Sequence, residues 1–261
     1  MGVRFEHLGK QLGNLNKVKV STPKPAVAQD ANLTIANASF SNSSLDVNQQ
    51  TGRPTGIRFN NDGTRMFVNG AANDGGESVF QYDLFTAYDV TSASFNASFN
   101  VTSQEGAPND TAFNTTGTRM FMVGVFSDTV YQYDLTTAFD VTSASFSTKS
   151  FDVSSEETGP RGLTFNTTGT RMFIIGNSSD AVNQYNLSTG FDIATAGFSG
   201  NSFNVGSEET SPQSIQFNTT GTRMFILGKS VHQYNLTTAF DVTTASLTTS
   251  FNLNSQDNNP R

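Results

Sequence analysis

One nonapeptide pattern, Phe-Asn-x-x-Gly-Thr-Arg-Met-Phe, is written four times along this 261-residue chain, at 59–67, 113–121, 165–173 and 217–225. Successive copies stand 54, 52 and 52 residues apart. A fixed period of this size means one supersecondary unit repeated. A unit that small cannot cover its own apolar faces, so neighbouring units must stack. Each copy leads through a Gly-bearing loop to Gln-Tyr-(Asp/Asn)-Leu at 81–84, 132–135, 184–187 and 233–236. Then come Ala-Phe-Asp-Val or a variant, an Ala-Ser-Phe segment, a Ser-Phe-Asp-Val segment, and a polar connector such as Ser-Ser-Glu-Glu-Thr-Gly-Pro at 154–160.

Each unit divides into four short strands, which in the first copy are 56–59, 65–68, 79–84 and the region of 95–101. Asn-x-x-Gly between the first two is a tight-turn signal, with Gly63, Gly117, Gly169 and Gly221 where a positive φ is required. Four-stranded units at this period are the pattern of propeller blades. The expected fold is therefore all-β: a β-propeller of four-stranded blades from tandem repeats of about 52 residues, with a short N-terminal arm. The 23 Phe and absent Trp fit, because Phe offers a large flat apolar face between sheets and brings no N–H to satisfy. Arg65, Arg119, Arg171 and Arg223 hold one place in every copy, which marks them as structural, paired with the turn or with a carboxylate of the next blade. Arg53, Arg58, Arg161, Lys229, His232 and the longer 69–78 loop differ between copies and are open to specific contacts.

The ends do not balance. Prolines open the first strands at 54, 108, 160 and 212, and Pro260 stands as a fifth one residue before Arg261. At the other end, 38–47 is a lone copy of the fourth strand. Three arrangements are open: further blades beyond a fifth repeat starting at 258–261, a four-bladed ring supplemented by 38–47, or donation of a strand to a neighbouring subunit.

The stretch Gly-Ile-Arg-Phe-Asn-Asn-Asp-Gly-Thr-Arg-Met-Phe-Val at 56–68, followed by Val-Phe-Gln-Tyr-Asp-Leu at 79–84, resembles the YVTN and NHL class of propeller repeat. Phe-Asn-x-x-Gly-Thr-Arg-Met-Phe with Val-Tyr-Gln-Tyr-Asp-Leu-Thr-Thr-Ala-Phe-Asp-Val at 130–141 is similar to repeats in structural and tail-fibre-like proteins of aquatic bacteriophages. The resemblance covers 38–261 and implies the fold; propellers host many unrelated activities.

Charge separates two regions. Residues 1–29 carry Arg4, Lys10, Lys17, Lys19 and Lys24 against Glu6, which is +4, and leave −11 of the net −7 to residues 30–261. Within the arm, Val3, Phe5, Leu8, Leu12 and Leu15 are spaced more as an amphipathic helix than as a strand, and Ser-Thr-Pro-Lys-Pro at 21–25 reads as a hinge. The domains are thus a basic arm with a Pro hinge over 1–29 and a repeat region over 30–261. No run is long and apolar enough for a membrane span, and the N-terminus has no signal-peptide core. With no Cys and only His7 and His232, disulfides, thiolate sites and imidazole-rich metal sites are excluded.

Together with the resemblance, these features lead to the expectation of a non-enzymatic virion protein: a phage tail fibre or a capsid or tail appendage, made in the host cytoplasm. It would dock through Arg4, Phe5, Leu8, Lys10, Leu12, Lys17 and Lys19 and display its loops to a host glycan or protein by multivalent contact. Its partners would be other virion or fibre subunits in an oligomeric assembly, with no nucleic acid on the acidic body. The alternatives are a subunit of an extracellular filament or surface layer joined by strand exchange, and a polysaccharide-acting enzyme. The usual winding would gather Glu105, Glu156, Glu157, Glu208, Glu209 and Asp257 from the connectors, with Asp74, Glu77, Asp128 and Asp180, on one face. That face is either a ligand or receptor site or a solvated acidic rim. Ca²⁺ is the one cofactor this leaves open, and no Asp-x-Asp-x-Asp-Gly loop supports it. Twelve Asn-x-Ser/Thr sequons follow from the same composition that makes the turns. No catalytic set stands out: neither His lies near a nucleophile elbow, and adjacent Glu156 and Glu157 on a strand would point to opposite faces.

Overall fold

The structure, a computed structural model, describes residues 34–36 and 38–253. Its strands fall into four sheets, each a four-stranded antiparallel meander in chain order, arranged as the blades of a β-propeller. Blade 1 holds β1 (Thr51–Phe59), β2 (Arg65–Ala72), β3 (Glu77–Leu84) and β4 (Ala93–Asn100). Blade 2 holds β5 (Pro108–Phe113), β6 (Arg119–Gly124), β7 (Thr129–Leu135) and β8 (Ala144–Asp152). Blade 3 holds β9 (Pro160–Phe165), β10 (Arg171–Gly176), β11 (Ala181–Leu187) and β12 (Ala196–Asn204). Blade 4 holds β13 (Ser214–Phe217), β14 (Arg223–Leu227), β15 (Ser230–Leu236) and β16 (Ala245–Asn252). The first strands of successive blades touch, β1 with β5, β5 with β9 and β9 with β13, so all four line the axis.

Burial explains the sequence of each strand. The second strands are covered on both faces and read as apolar runs, Met-Phe-Ile-Ile at 172–175 being wholly buried. The fourth strands lie outermost and alternate, as in β8, where every second residue of its second half is exposed. Phe121, Val123 and Val130 of blade 2 pack on Leu163, Met172, Ile174 and Tyr185 of blade 3, and Val153 completes that cluster with Phe151 at its margin. Phe121 meets Phe165 in a tilted pair with ring centroids 4.6 Å apart, and Phe173 repeats the contact with Phe217 at 4.6 Å one interface on. Aromatic pairs of this kind contribute about 0.5–1.5 kcal/mol each beyond their buried area.

The recurrent motif builds the turn between the first two strands. Asn114 Oδ1 accepts from Arg119 N at 3.0 Å, and Gly117 takes φ 70°. Gly63, Gly169 and Gly221 sit at φ 71°, 71° and 68°, which L residues adopt at a cost. Beneath each lies an aromatic ring (Tyr88, Phe139, Phe191 or Phe240) that a methyl group on the glycine would strike. The recurrent arginines tie blade to blade: Arg65, Arg119 and Arg171 donate through Nη1 to the carbonyls of Phe139, Phe191 and Phe240, each at 2.8 Å. Their carboxylate partners stand on the same blade, Asp83 beside Arg65 and Asp134 beside Arg119, whereas the sequence suggested one on the next.

The arm over 1–29, Asp257 and the repeat start at 258–261 lie outside the described residues. Residues 38–47 run extended without pairing as a strand, because no ladder partner lies beside them among the described residues.

Candidate functional site

The residue after each opening proline is different in every blade: Thr55, Asn109, Arg161 and Gln213. The fold brings all four to one end of the axis, where they line a polar cavity of about 340 Å³ with Arg53, Glu77, Asn177 and Ser211. The loop ends and first strands deliver these groups from a rigid frame. Asn109 Nδ2 donates to Pro160 O at 3.0 Å, and Arg161 Nη1 donates to Asn109 Oδ1 at 3.2 Å, so adjacent blades fix each other's side chains. Burial pushes the Glu77 carboxyl above its ordinary value; Arg53 opposes this and the neighbouring Glu105 charge adds to it. The mouth thus combines two guanidinium groups, amide donors and acceptors, two hydroxyls and one carboxylate whose pKa burial raises.

Below the mouth the axis is closed by one side chain. Arg58 donates from Nε to Thr111 O at 2.8 Å and from Nη1 to Gln216 Oε1 at 2.8 Å. Its Nη2 reaches Asp110 Oδ2 at 2.8 Å and Leu163 O at 3.0 Å. One residue of blade 1 therefore contacts blades 2, 3 and 4. Burial drives the Asp110 carboxyl up, against the pull of Arg58 and of the Leu163 and Thr111 N–H groups that it accepts at 3.0 and 2.8 Å. At the far end, Arg58, Ala112, Thr164 and Gln216, again four different residues at one repeat position, border a smaller cavity of about 160 Å³.

The connector carboxylates do not form an open rim. Glu105, Glu157 and Glu209 are buried and consumed by backbone N–H groups: Glu157 accepts from Gly159, Ser178 and Ser179 at 2.8–3.1 Å, and Glu105 from Ala107 and Phe126 at 2.8 and 3.1 Å. Glu209 accepts from Ser211 and Lys229 at 3.0 and 2.7 Å. Glu156 and Glu208 accept from the hydroxyls of Tyr185 and Tyr234 at 3.2 and 3.5 Å. Asp74 is exposed in the turn after β2. Asp128 and Asp180 occupy turns at φ 50° and 49°, apart from the mouth-lining residues. Among the described residues no three His, Asp or Glu side chains come together as metal ligands would.

Of the positions that differ between copies, Arg53, Arg58 and Arg161 do converge on the axis, while Lys229 serves a loop and His232 bonds Ser250 through Nδ1 at 2.8 Å. Asp110, Gln213 and Gln216 were not singled out by the sequence, and Asn109 and Asn177 were marked there only as sequons. The signal was present in the alignment of the four copies, where the opening Pro and the closing Phe of the first strand repeat while the residues between them vary.

No known family's sequence profile matches the chain, and no curated protein matches it in sequence. Solved structures do. A functionally unknown protein from Desulfotomaculum acetoxidans superposes with a TM-score of 0.51 at 14% identity, over 76% of this chain and 56% of that one. A "putative 6-phosphogluconolactonase" from Bacteroides fragilis gives 0.50 at 13% identity, over 80% of this chain and 57% of that one. The periplasmic gluconolactonase of Pseudomonas aeruginosa gives 0.49 at 13%, over 75% and 53%. The chain spans just over half the length of these structures, and at such identities the likeness shows the fold. The expectation of a non-enzymatic phage virion or adhesion protein is corrected here: the two similar structures at a TM-score of 0.50 or above are a protein of unknown function and one named as a "putative 6-phosphogluconolactonase", and no link to a phage protein is shown.

Proposed function

We propose that the axial mouth binds a small polyhydroxylated anion, a sugar acid or its phosphate ester, and hydrolyses the corresponding lactone. The observation that carries this reading is the convergence of Arg53, Arg161, Asn109, Asn177, Gln213 and Glu77 on one polar cavity of about 340 Å³, a size suited to a single monosaccharide. Guanidinium groups suit carboxylate and phosphate oxygens, and amide side chains suit hydroxyls. The lactonase names of similar propellers agree with this chemistry and suggested the reaction.

In the reaction, the Glu77 carboxylate takes a proton from water as the water oxygen attacks the ring carbonyl carbon. The arginines stabilise the resulting oxyanion, the ring C–O bond breaks, and the departing ring oxygen takes the proton back from Glu77. One water is consumed and one hydroxy acid is formed.

The test is calorimetric titration with gluconate and with 6-phosphogluconate, alongside hydrolysis of the two δ-lactones above their spontaneous rates. Arg53→Ala is expected to weaken binding about tenfold. Glu77→Gln is expected to remove turnover and leave binding within a few fold. The turnover rate is expected to fall on acidification with a midpoint above the ordinary carboxylate range, because Glu77 must be ionised to act and burial raises its pKa. Absence of saturable binding of either acid at millimolar concentration contradicts the reading. Binding with no acceleration of either lactone keeps the site and removes the enzyme.

A further inference from the structure

Residues 35–36 and 38–47 make the contacts of a fourth strand, with no first three strands beside them among the described residues. Inside the propeller, a fourth-strand segment touches two blades. That of blade 2 donates from Val141 N to Gln81 Oε1 of blade 1 at 3.0 Å and lays Phe151 and Val153 against blade 3. Ile35 N donates in the same way to Gln233 Oε1 of blade 4 at 3.0 Å, and Leu45 and Val47 lie against the Met66, Val68 and Tyr82 cluster of blade 1. The backbone agrees. Asn42 takes φ 60° at the position where Thr148 takes 67° and Gly200 takes 83°, the irregularity of β8 and β12. The segment therefore bridges blade 4 to blade 1 with the place of one blade between them.

Both walls of that place are unfinished. On blade 1, Ile57 is 55% exposed and Val90 half-buried, whereas their counterparts Leu163 and Ile193 are fully buried. The groove there measures about 790 Å³ and is lined by Leu45, Val47, Ile57, Met66 and Val68. On blade 4, Leu227 and Val231 are half-buried where Ile175 and Val182 of blade 3 are sealed.

We propose that this groove seats the first three strands of a fifth repeat of the same kind, with 38–47 as its fourth strand. A Phe and an aliphatic residue in the places of Phe121 and Val123 would cover Ile57, Met66 and Val68, and the edge of the third strand would pair with 38–47.

Appending a copy of residues 162–187 after Arg261 supplies those strands, since Pro260-Arg261 then continues as Pro160-Arg161 does. The added strands are expected to resist protease as β9–β11 do, within one cooperative transition whose midpoint rises by several degrees. The same extension on a chain carrying Leu45→Asp and Val47→Asp is expected to lose the gain. Trimming of the addition back to the parent chain with an unchanged midpoint overturns the proposal. So does sedimentation of the unextended chain as a dimer at tens of micromolar, which gives the groove to a second copy. Should the extended chain precipitate, a soluble fusion carrying 160–187 is expected to be retained by the parent chain and not by one lacking 34–47; equal retention by both also overturns it.

Discussion

The interface between blades 2 and 3 and the bare flank of blade 1 use the same repeat positions and reach different ends. At the interface, Leu163, Met172, Ile174 and Tyr185 are covered by Phe121, Val123 and Val130. At the flank the equivalents Met66, Val68 and Tyr82 are covered by Leu45 and Val47 and by side chains of their own blade, and Ile57 is left exposed. Blade 1 is held instead from its other face and from within, by the β1–β5 contact and by Arg58 across the axis. A repeat unit thus carries enough information to form its sheet, and its apolar faces depend on which neighbour is present. This is the one-dimensional logic of stacked repeats.

The largest effect that sharpens this contrast is truncation of an interface ring. Phe121→Ala is expected to cost about 3–5 kcal/mol in denaturant unfolding, because the fully buried ring leaves a cavity between blades. Ile57→Ala on the open flank should stay within about 0.5 kcal/mol. Similar losses at both sites would break the comparison.

A middle-sized effect concerns the connector. Glu157 is buried and accepts three backbone N–H groups and the Ser179 hydroxyl, whereas blade 1 has Thr51 at the same position. Glu157→Gln should cost about 1–3 kcal/mol, since an amide puts a donor where an acceptor is needed. Thr51→Val, which leaves only the Arg53 N–H short of its Oγ1 partner, should cost under about 1 kcal/mol.

The smallest effect is electrostatic. Lys149 of β8 reaches Asp192 of blade 3 at 2.7 Å, and the flank has Ser43 where Lys149 would stand. The Lys149 contact holds the Asp192 carboxyl below its ordinary value. Its contribution is therefore complete above the unfolded-state pKa and is lost as pH falls through the lower folded-state pKa. Lys149→Met should remove about 0.2–1 kcal/mol near neutral pH and little at pH 2, read from urea midpoints at the two pH values.

Much of this architecture was legible in the chain. The period, the Asn-x-x-Gly turns with their positive-φ glycines and the four-strand division all follow from local chemistry written four times. The recurrent arginine was legible as structural, but its inter-blade partner was not, because a backbone carbonyl leaves no mark in sequence. The acidic connectors misled for a similar reason: Glu105, Glu157 and Glu209 look like surface charge, yet their loops fold back and present N–H groups to them. The mouth was half legible. Arg53 and Arg161 stood out as departures from the repeat, whereas Asn109 and Gln213 blend into a chain already rich in amides and become a site only when the blades converge.

The central claim, that the blade 1 flank is open while the equivalent interface is closed, is tested most directly by thiol labelling, for which a chain without cysteine is well suited. Single Ile57→Cys and Leu163→Cys proteins are treated with a maleimide under native conditions. Ile57→Cys should react at nearly the rate of a free thiol, and Leu163→Cys only as fast as the protein opens. Equal protection of both thiols in the monomeric chain would contradict the account.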